Sequence, residues 1–147
     1  MNIEPKITEN EARYLKLIYR AQRERSSKIR TTPIARYLGV KPATVTEVLQ
    51  NLSNKNLVRH RRYHGVKLTK TGTTEARKFL RKHRILEVFL ANILNCDAQL
   101  ACREASKLDY RASRGLINAI CRTYGHPKTC PCGKVIFSDP KCTEKKR

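Results

Sequence analysis

The punctuation of residues 31–42 constrains this chain more than any other feature of its 147 residues. Thr32 and Pro33 read as the N-cap and first position of a short helix with Ile34, Ala35 and Leu38 turned inward, and Gly39 ends it. After Val40 and Lys41, Pro42 opens another helix in which Val45, Leu49 and Leu52 repeat at helical spacing to about Lys55. Two short helices joined by a tight, glycine-containing turn form a helix-turn-helix. Upstream, Thr8 and Glu11 have capping-box spacing at the head of a helix over 8–24, whose inner stripe is Ala12, Leu15, Ile18 and Ala21. Downstream, LVRHRRYHGVKLT alternates into a two-stranded hairpin turning at Gly65. A hairpin directly after a helix-turn-helix is a wing.

From Thr71 to about Leu94 the pattern is helical and proline-free, with one apolar side through Ala76, Phe79, Leu80, His83, Leu86 and Leu90. Beside it runs a second stripe, Ile85, Val88, Phe89 and Ile93. A small chain can cover only one such stripe from within, so the second is expected to be buried by another copy in a two-fold homodimer. Helices over 98–109 and 111–124 follow, and the segment after Gly133 reads as a mobile tail ending in the basic run EKKR. The expected fold is therefore mainly α: a winged helix-turn-helix domain over 1–72, a helical dimerisation domain over 73–127, and a cysteine-containing basic tail over 128–147.

Charge narrows the partner. Thirty-two Lys and Arg against 12 Asp and Glu give a formal charge of +20, an excess that calls for a polyanion, and the fold makes that polyanion double-stranded DNA. In the second helix of the motif, Lys41, Pro42, Ala43, Thr44, Thr46 and Glu47 stand at the end expected to enter a major groove. Thr31 and Thr32, with the amides beside them, suit a backbone phosphate. Arg59, Arg61, Arg62, His64 and Lys67 make the wing a cationic finger for phosphates or a minor groove. A dimer of such units would bind a pseudo-palindrome. No window reaches the roughly 20 apolar residues of a membrane span and the N-terminus has no signal-peptide run, so a cytoplasmic location is expected. No nucleophile motif, phosphate loop or catalytic carboxylate pair points to an enzyme. The charge alone also suits an architectural DNA-binding protein with little sequence preference.

All six cysteines lie between Cys96 and Cys142. Cys130, Pro131, Cys132 and Gly133 resemble a zinc knuckle shortened by one residue, and Cys121 and Cys142 can add two thiolates, a set that suits Zn or an iron–sulfur cluster. The alternative is a proline-containing turn with free thiols.

Taken together, YLKLIY, IARYLGVKPATVTEVLQNLSNKNLV, YHGVKLTKTG, RKHRILEVFL and HPKTCPCG resemble the diphtheria toxin repressor family of metal-responsive transcriptional regulators, in its short form without an SH3-like domain. The resemblance runs from Thr8 to Gly133 and implies a DNA-binding dimer, most simply a repressor governed by metal, iron–sulfur or redox status. It also implies a primary metal site at Arg13, Lys16, Ser106, Asp109 and Tyr110, where only Asp109 is a plausible ligand. A second site carries over as His83, Glu87 and Cys102, donors that suit Zn, Fe or Co better than Mn. Otherwise Glu87 pairs with Arg84 and Cys102 is core. On this reading the second site and the clustered cysteines share no ligand and can be inactivated separately.

Overall fold

A computed structural model describes residues 3–143; the basic run over 144–147 lies outside the described residues. The elements, in order, are α1 (Glu9–Tyr19), continued by a π-helical turn (Arg20–Glu24), α2 (Thr31–Leu38), α3 (Pro42–Asn54), β1 (Val58–Arg61), β2 (Gly65–Leu68), α4 (Lys70–Leu94), α5 (Ala98–Leu108), α6 (Arg114–Thr123) and α7 (Pro140–Thr143). Two compact units divide within α4, at residues 1–77 and 78–147.

In the first unit Thr8 caps α1 through a full capping box, its side chain accepting from the Glu11 amide while Glu11 accepts from the Thr8 amide. Glu11 also pairs with Lys55 at 2.8 Å, tying the start of α1 to the end of α3. The sequence places the start of α2 two residues late: Arg30 is the N-cap and Thr31, Thr32 and Pro33 fill the first turn. Pro33 is harmless there because the first amides of a helix have no intrahelical acceptor. Gly39 (φ 67°) ends α2 and Pro42 opens α3 as read from the sequence. The wing is a two-stranded antiparallel sheet with Val58 opposite Leu68 and Arg61 opposite Gly65. Its free edge is managed by the π-turn: Gln22 donates to the Val66 carbonyl (3.0 Å) and accepts from the Leu68 amide (3.1 Å), while Val66 N–H donates to the Ile29 carbonyl. Gln22 lies within this wider turn, where Arg25 N–H donates to the Arg20 carbonyl in the i→i+5 pattern. Leu15, Ile18, Ile34, Val45, Leu49, Leu52 and Leu57 form the interior.

The second unit packs α4, α5 and α6 with residues 128–143 around Ile85, Leu86, Val88, Leu90, Ala101, Ala105, Ile117 and Ile120. This corrects two expectations. Ile85 and Val88 of the second α4 stripe are buried and Phe89 is half-buried within a single chain, leaving Ile93 exposed, because α5, α6 and the C-terminal segment reach that side. And over residues 134–142 the segment after Gly133 is packed where a mobile tail was expected: Ile136, Asp139 and Cys142 are buried, and Arg84 donates to the Val135 carbonyl at 2.7 Å with its guanidinium over Phe137. Ser113 caps α6, its hydroxyl accepting from the Leu116 amide, so the helix starts at Arg114, three residues later than the expected 111.

Asp139 anchors that segment. It receives Arg114, including Nε at 2.6 Å, then Asn118 Nδ2 and the Lys141 amide at 3.0 Å, and the Arg114 guanidinium first of all holds its carboxyl well below the usual carboxylate range against the opposing effect of burial. A depressed native value adds stability that is present above the unfolded value, near 3.9, and is lost as pH falls through the native one. Asp139→Asn is therefore expected to cost about 1–2 kcal/mol near neutral pH, a figure kept low because Arg114 is half exposed, with the deficit shrinking in acid. Thermal unfolding of both proteins across pH checks this; a deficit unchanged in acid would refute the assignment.

Candidate metal centre and nucleic-acid interface

His83 and Glu87 stand one turn apart on α4, which puts both on one face, and Cys102 reaches them from α5. His83 is fully buried and Glu87 nearly so. His83 Nε2 lies 2.8 Å from a Glu87 carboxylate oxygen and 3.5 Å from Cys102 Sγ, and its other nitrogen, Nδ1, lies 3.0 Å from Asp109. A carboxylate on Nδ1 fixes the imidazole and leaves Nε2 directed at the other two donors, the arrangement by which ligating histidines are usually oriented. Asp109, the one primary-site position with ligand chemistry, thus serves the second group. Ser106 donates to the Cys102 carbonyl and Tyr110 stacks on Phe79.

The structure also brings Cys130 and Cys132 to Glu87, their donor atoms lying within 4.8 Å of one another and of its carboxylate. Glu87 thus stands in both donor groups, where the sequence reading assigned the histidine group and the cysteines no shared residue. The chain makes this juxtaposition by turning at Gly133 (φ 77°), with Cys130 N–H donating to the Lys134 carbonyl and Gly133 N–H to that of Cys130. Although Cys132 is largely exposed, partial withdrawal of its sulfur from water, followed by the Glu87 charge, pushes its thiol up to about 12. Burial pushes the Cys130 thiol up as well.

Nor do the four cysteines of the C-terminal region form one set. All six cysteines are free thiols, and among the described residues Cys121 and Cys142 group with His126, away from the Glu87 set, so the tetrathiolate needed for a four-cysteine zinc or iron–sulfur site is not assembled. Burial, and next the neighbouring Cys142, raises the Cys121 thiol. Sequence reasoning did not group His126 with these cysteines, because Cys142 reaches it through α7, which nothing in the apolar pattern announces.

The donor chemistry around Glu87 fits a metal. One imidazole, one carboxylate and up to three thiolates suit Zn or Fe(II) and disfavour Mn, whose preference is for oxygen.

In the first unit, Lys41 at the N-cap of α3 and Pro42, Ala43, Thr44, Thr46 and Glu47 on it are exposed, while Val45, Val48, Leu49 and Leu52 are its buried side. Thr46 Oγ1 donates to the Pro42 carbonyl at 3.1 Å, so its hydroxyl is engaged within the helix. Thr32, Arg59, Arg61, Arg62, His64 and Lys67 are exposed and Thr31 half-buried. Arg59 lies directly opposite Lys67 across the wing, a like-charge pair that costs stability in the free protein. Sequence reasoning overlooked Gln50, exposed on α3, and Tyr63, 78% exposed at the wing turn with Arg62 over its ring. Among the described residues no helix is long and apolar enough to cross a membrane.

Comparison with known proteins agrees with this division of labour. Residues 6–66 match the profile described as the iron dependent repressor N-terminal DNA binding domain, and residues 69–138 the iron dependent repressor metal binding and dimerisation domain. A helix-turn-helix-type transcriptional regulator of Methanocaldococcus jannaschii is 35% identical over 107 residues, which cover 73% of this chain and 86% of that one. Among solved structures, the manganese regulator SloR superposes with a TM-score of 0.77 at 36% identity, over 88% of this chain but 60% of its own. A hypothetical protein from Sulfolobus solfataricus does so at 0.69 and 30% identity, over 90% of this chain and 100% of its own. With a winged helix matched to the DNA-binding profile and the helical unit matched to the metal-binding one, the chain belongs to the iron-dependent repressor family of DNA-binding transcriptional regulators.

Proposed function

We propose that this chain is a homodimeric, sequence-specific transcriptional repressor whose operator binding responds to a divalent metal held by His83, Glu87 and Cys102, with Cys130 and Cys132 within reach of the same carboxylate. The observation that carries this is the convergence of nitrogen, oxygen and sulfur donors on buried Glu87 in the unit matched to a metal-binding domain. A bound cation would neutralise the carboxylate and thiolates and tie α4 to α5 and to the turn at Gly133. His83 and Glu87 hold their donor atoms together, Asp109 fixes the imidazole, and Arg84 anchors the segment that follows the two cysteines. The thiols make zinc or iron(II) the preferred ion, in contrast to the manganese named for SloR. The family's dimerisation domain supports the homodimer, and Ile93, Leu94, Leu108 and Leu116 are exposed apolar side chains available to it.

On DNA, the exposed N-terminal end of α3 reads bases in the major groove through Thr44, Glu47 and the Thr46 methyl, while Lys41, Thr31 and Thr32 meet phosphates. The wing supplies charge through Arg59, Arg61, Arg62, His64 and Lys67, and the Arg59–Lys67 repulsion is relieved by a polyanion.

Operator affinity measured before and after chelation, against random DNA of equal length, tests the proposal. Thr44→Ala is expected to lower the ratio of operator to random affinity by about tenfold, as loss of about 1.4 kcal/mol of base discrimination would. Arg61→Ala is expected to weaken both DNAs alike and to flatten the salt slope by about one. An operator-to-random ratio near one in the wild type would instead make this an architectural DNA binder. Affinity unchanged by chelation and by every added ion would remove the metal response.

A further inference from the structure

We propose that Cys121, His126 and Cys142 form a zinc site of their own, which fastens the C-terminal end of the chain to α6. Cys121 stands in the last turns of α6 with His126 just beyond its end, and Cys142 on α7 is brought to that pair only by the packed fold. Their donor atoms lie within 4.8 Å of one another. His126 Nδ1 is 3.5 Å from Cys121 Sγ and 3.6 Å from Cys142 Sγ. A tetrahedral zinc with bonds of about 2.3 Å to sulfur and about 2.0–2.1 Å to nitrogen separates its sulfur and nitrogen ligands by about 3.5–3.6 Å. The imidazole nitrogen has a single lone pair, so it can accept a hydrogen from only one of the two thiols aimed at it, whereas one ion between them satisfies all three donors.

The surroundings suit a cation carrying two thiolates. Cys121 and Cys142 are buried, with the buried Arg81 guanidinium beside Cys121 as a positive neighbour for a thiolate, and a zinc ion with two thiolates and a neutral imidazole is itself neutral. Binding replaces two S–H protons, released to solvent, by two Zn–S bonds, with no change of oxidation state. A cavity of about 50 Å³ opens beside the donors, lined by Arg81, Pro127, Ser138 and Asp139, with room for a water as fourth ligand. His126 is exposed and gives the ion its way in. This group shares no residue with the Glu87 set, so it stands or fails independently of the proposed metal response.

The test uses the full reduced chain, stripped of metal and then given zinc, with alkylation of each cysteine followed by mass spectrometry. Zinc is expected to protect Cys121 and Cys142 in the wild type. In His126→Asn, zinc binding at this site is expected to weaken by about a hundredfold or more, with the protection lost. Asn suits the left-handed backbone of His126 (φ 56°), and the exposed position leaves the core untouched, so the variant should fold, which circular dichroism verifies. Glu87→Gln is expected to leave the protection of Cys142 intact. If zinc fails to protect Cys142 in the wild type, or protects it equally in His126→Asn, the site does not exist.

Discussion

Glu87→Gln is expected to abolish the metal response of operator binding in a single substitution. Glu87 is the one residue common to the His83–Cys102 pair and to the Cys130–Cys132 pair, so removing its charge disables both sets at once. Effector couplings of this kind are commonly worth about 5–150-fold in affinity, and the variant should lose most of whatever the wild type shows. Glutamine keeps the size of the side chain and its hydrogen-bonding reach toward His83, so packing in the metal-free protein should change little. Operator affinity with and without zinc or iron(II), beside thermal unfolding of the metal-free form, makes the measurement. A variant that keeps a wild-type metal response would show that neither set is the sensor.

Gly72→Ala is expected to destabilise the first unit by about 3 kcal/mol, where the same change in an ordinary helix interior stabilises by about 1 kcal/mol. A Cβ at Gly72 would lie 1.8 Å from the Leu57 carbonyl oxygen and 2.8 Å from its carbon, both backbone atoms that no rotamer can move. The carbonyl is held in place, accepting from the Thr69 amide at 3.0 Å, while Thr69 Oγ1 accepts from Gly72 N–H at 2.9 Å and donates to the Asn56 carbonyl. The start of α4 therefore has to separate from the start of the wing. Denaturant unfolding of the two proteins decides it, and equal or higher stability in the variant would contradict the close approach.

Much of the first unit was legible in the sequence because its signals are local. A capping box, a glycine in the left-handed region and a proline at a first helical position each act within a few residues, and together they fix where α1, α2 and α3 begin or end. The π-turn after α1 was not legible, and the pairing of Gln22 within it with β2 is long-range. The same distinction explains the error over the second α4 stripe. Periodicity identifies an apolar face but not what covers it, and here much of the cover comes from α5, α6 and the segment around Ile136.

By itself, then, the sequence determined the helix-turn-helix, the wing with its cationic face, the basic excess, and the α4 face carrying His83 and Glu87. These follow from spacing along the chain, where 3.6 residues per turn and alternation in a strand decide which side chains share a side. Tertiary structure alone decided the grouping of the cysteines. Cys130 and Cys132 come to Glu87 and Cys121 and Cys142 to His126 because residues 128–143 fold back and pack, and that return is fixed by Arg84 on the Val135 carbonyl and by Arg114 and Asn118 on Asp139. A ligand set assembled from distant segments depends on such long-range contacts, which no periodicity encodes.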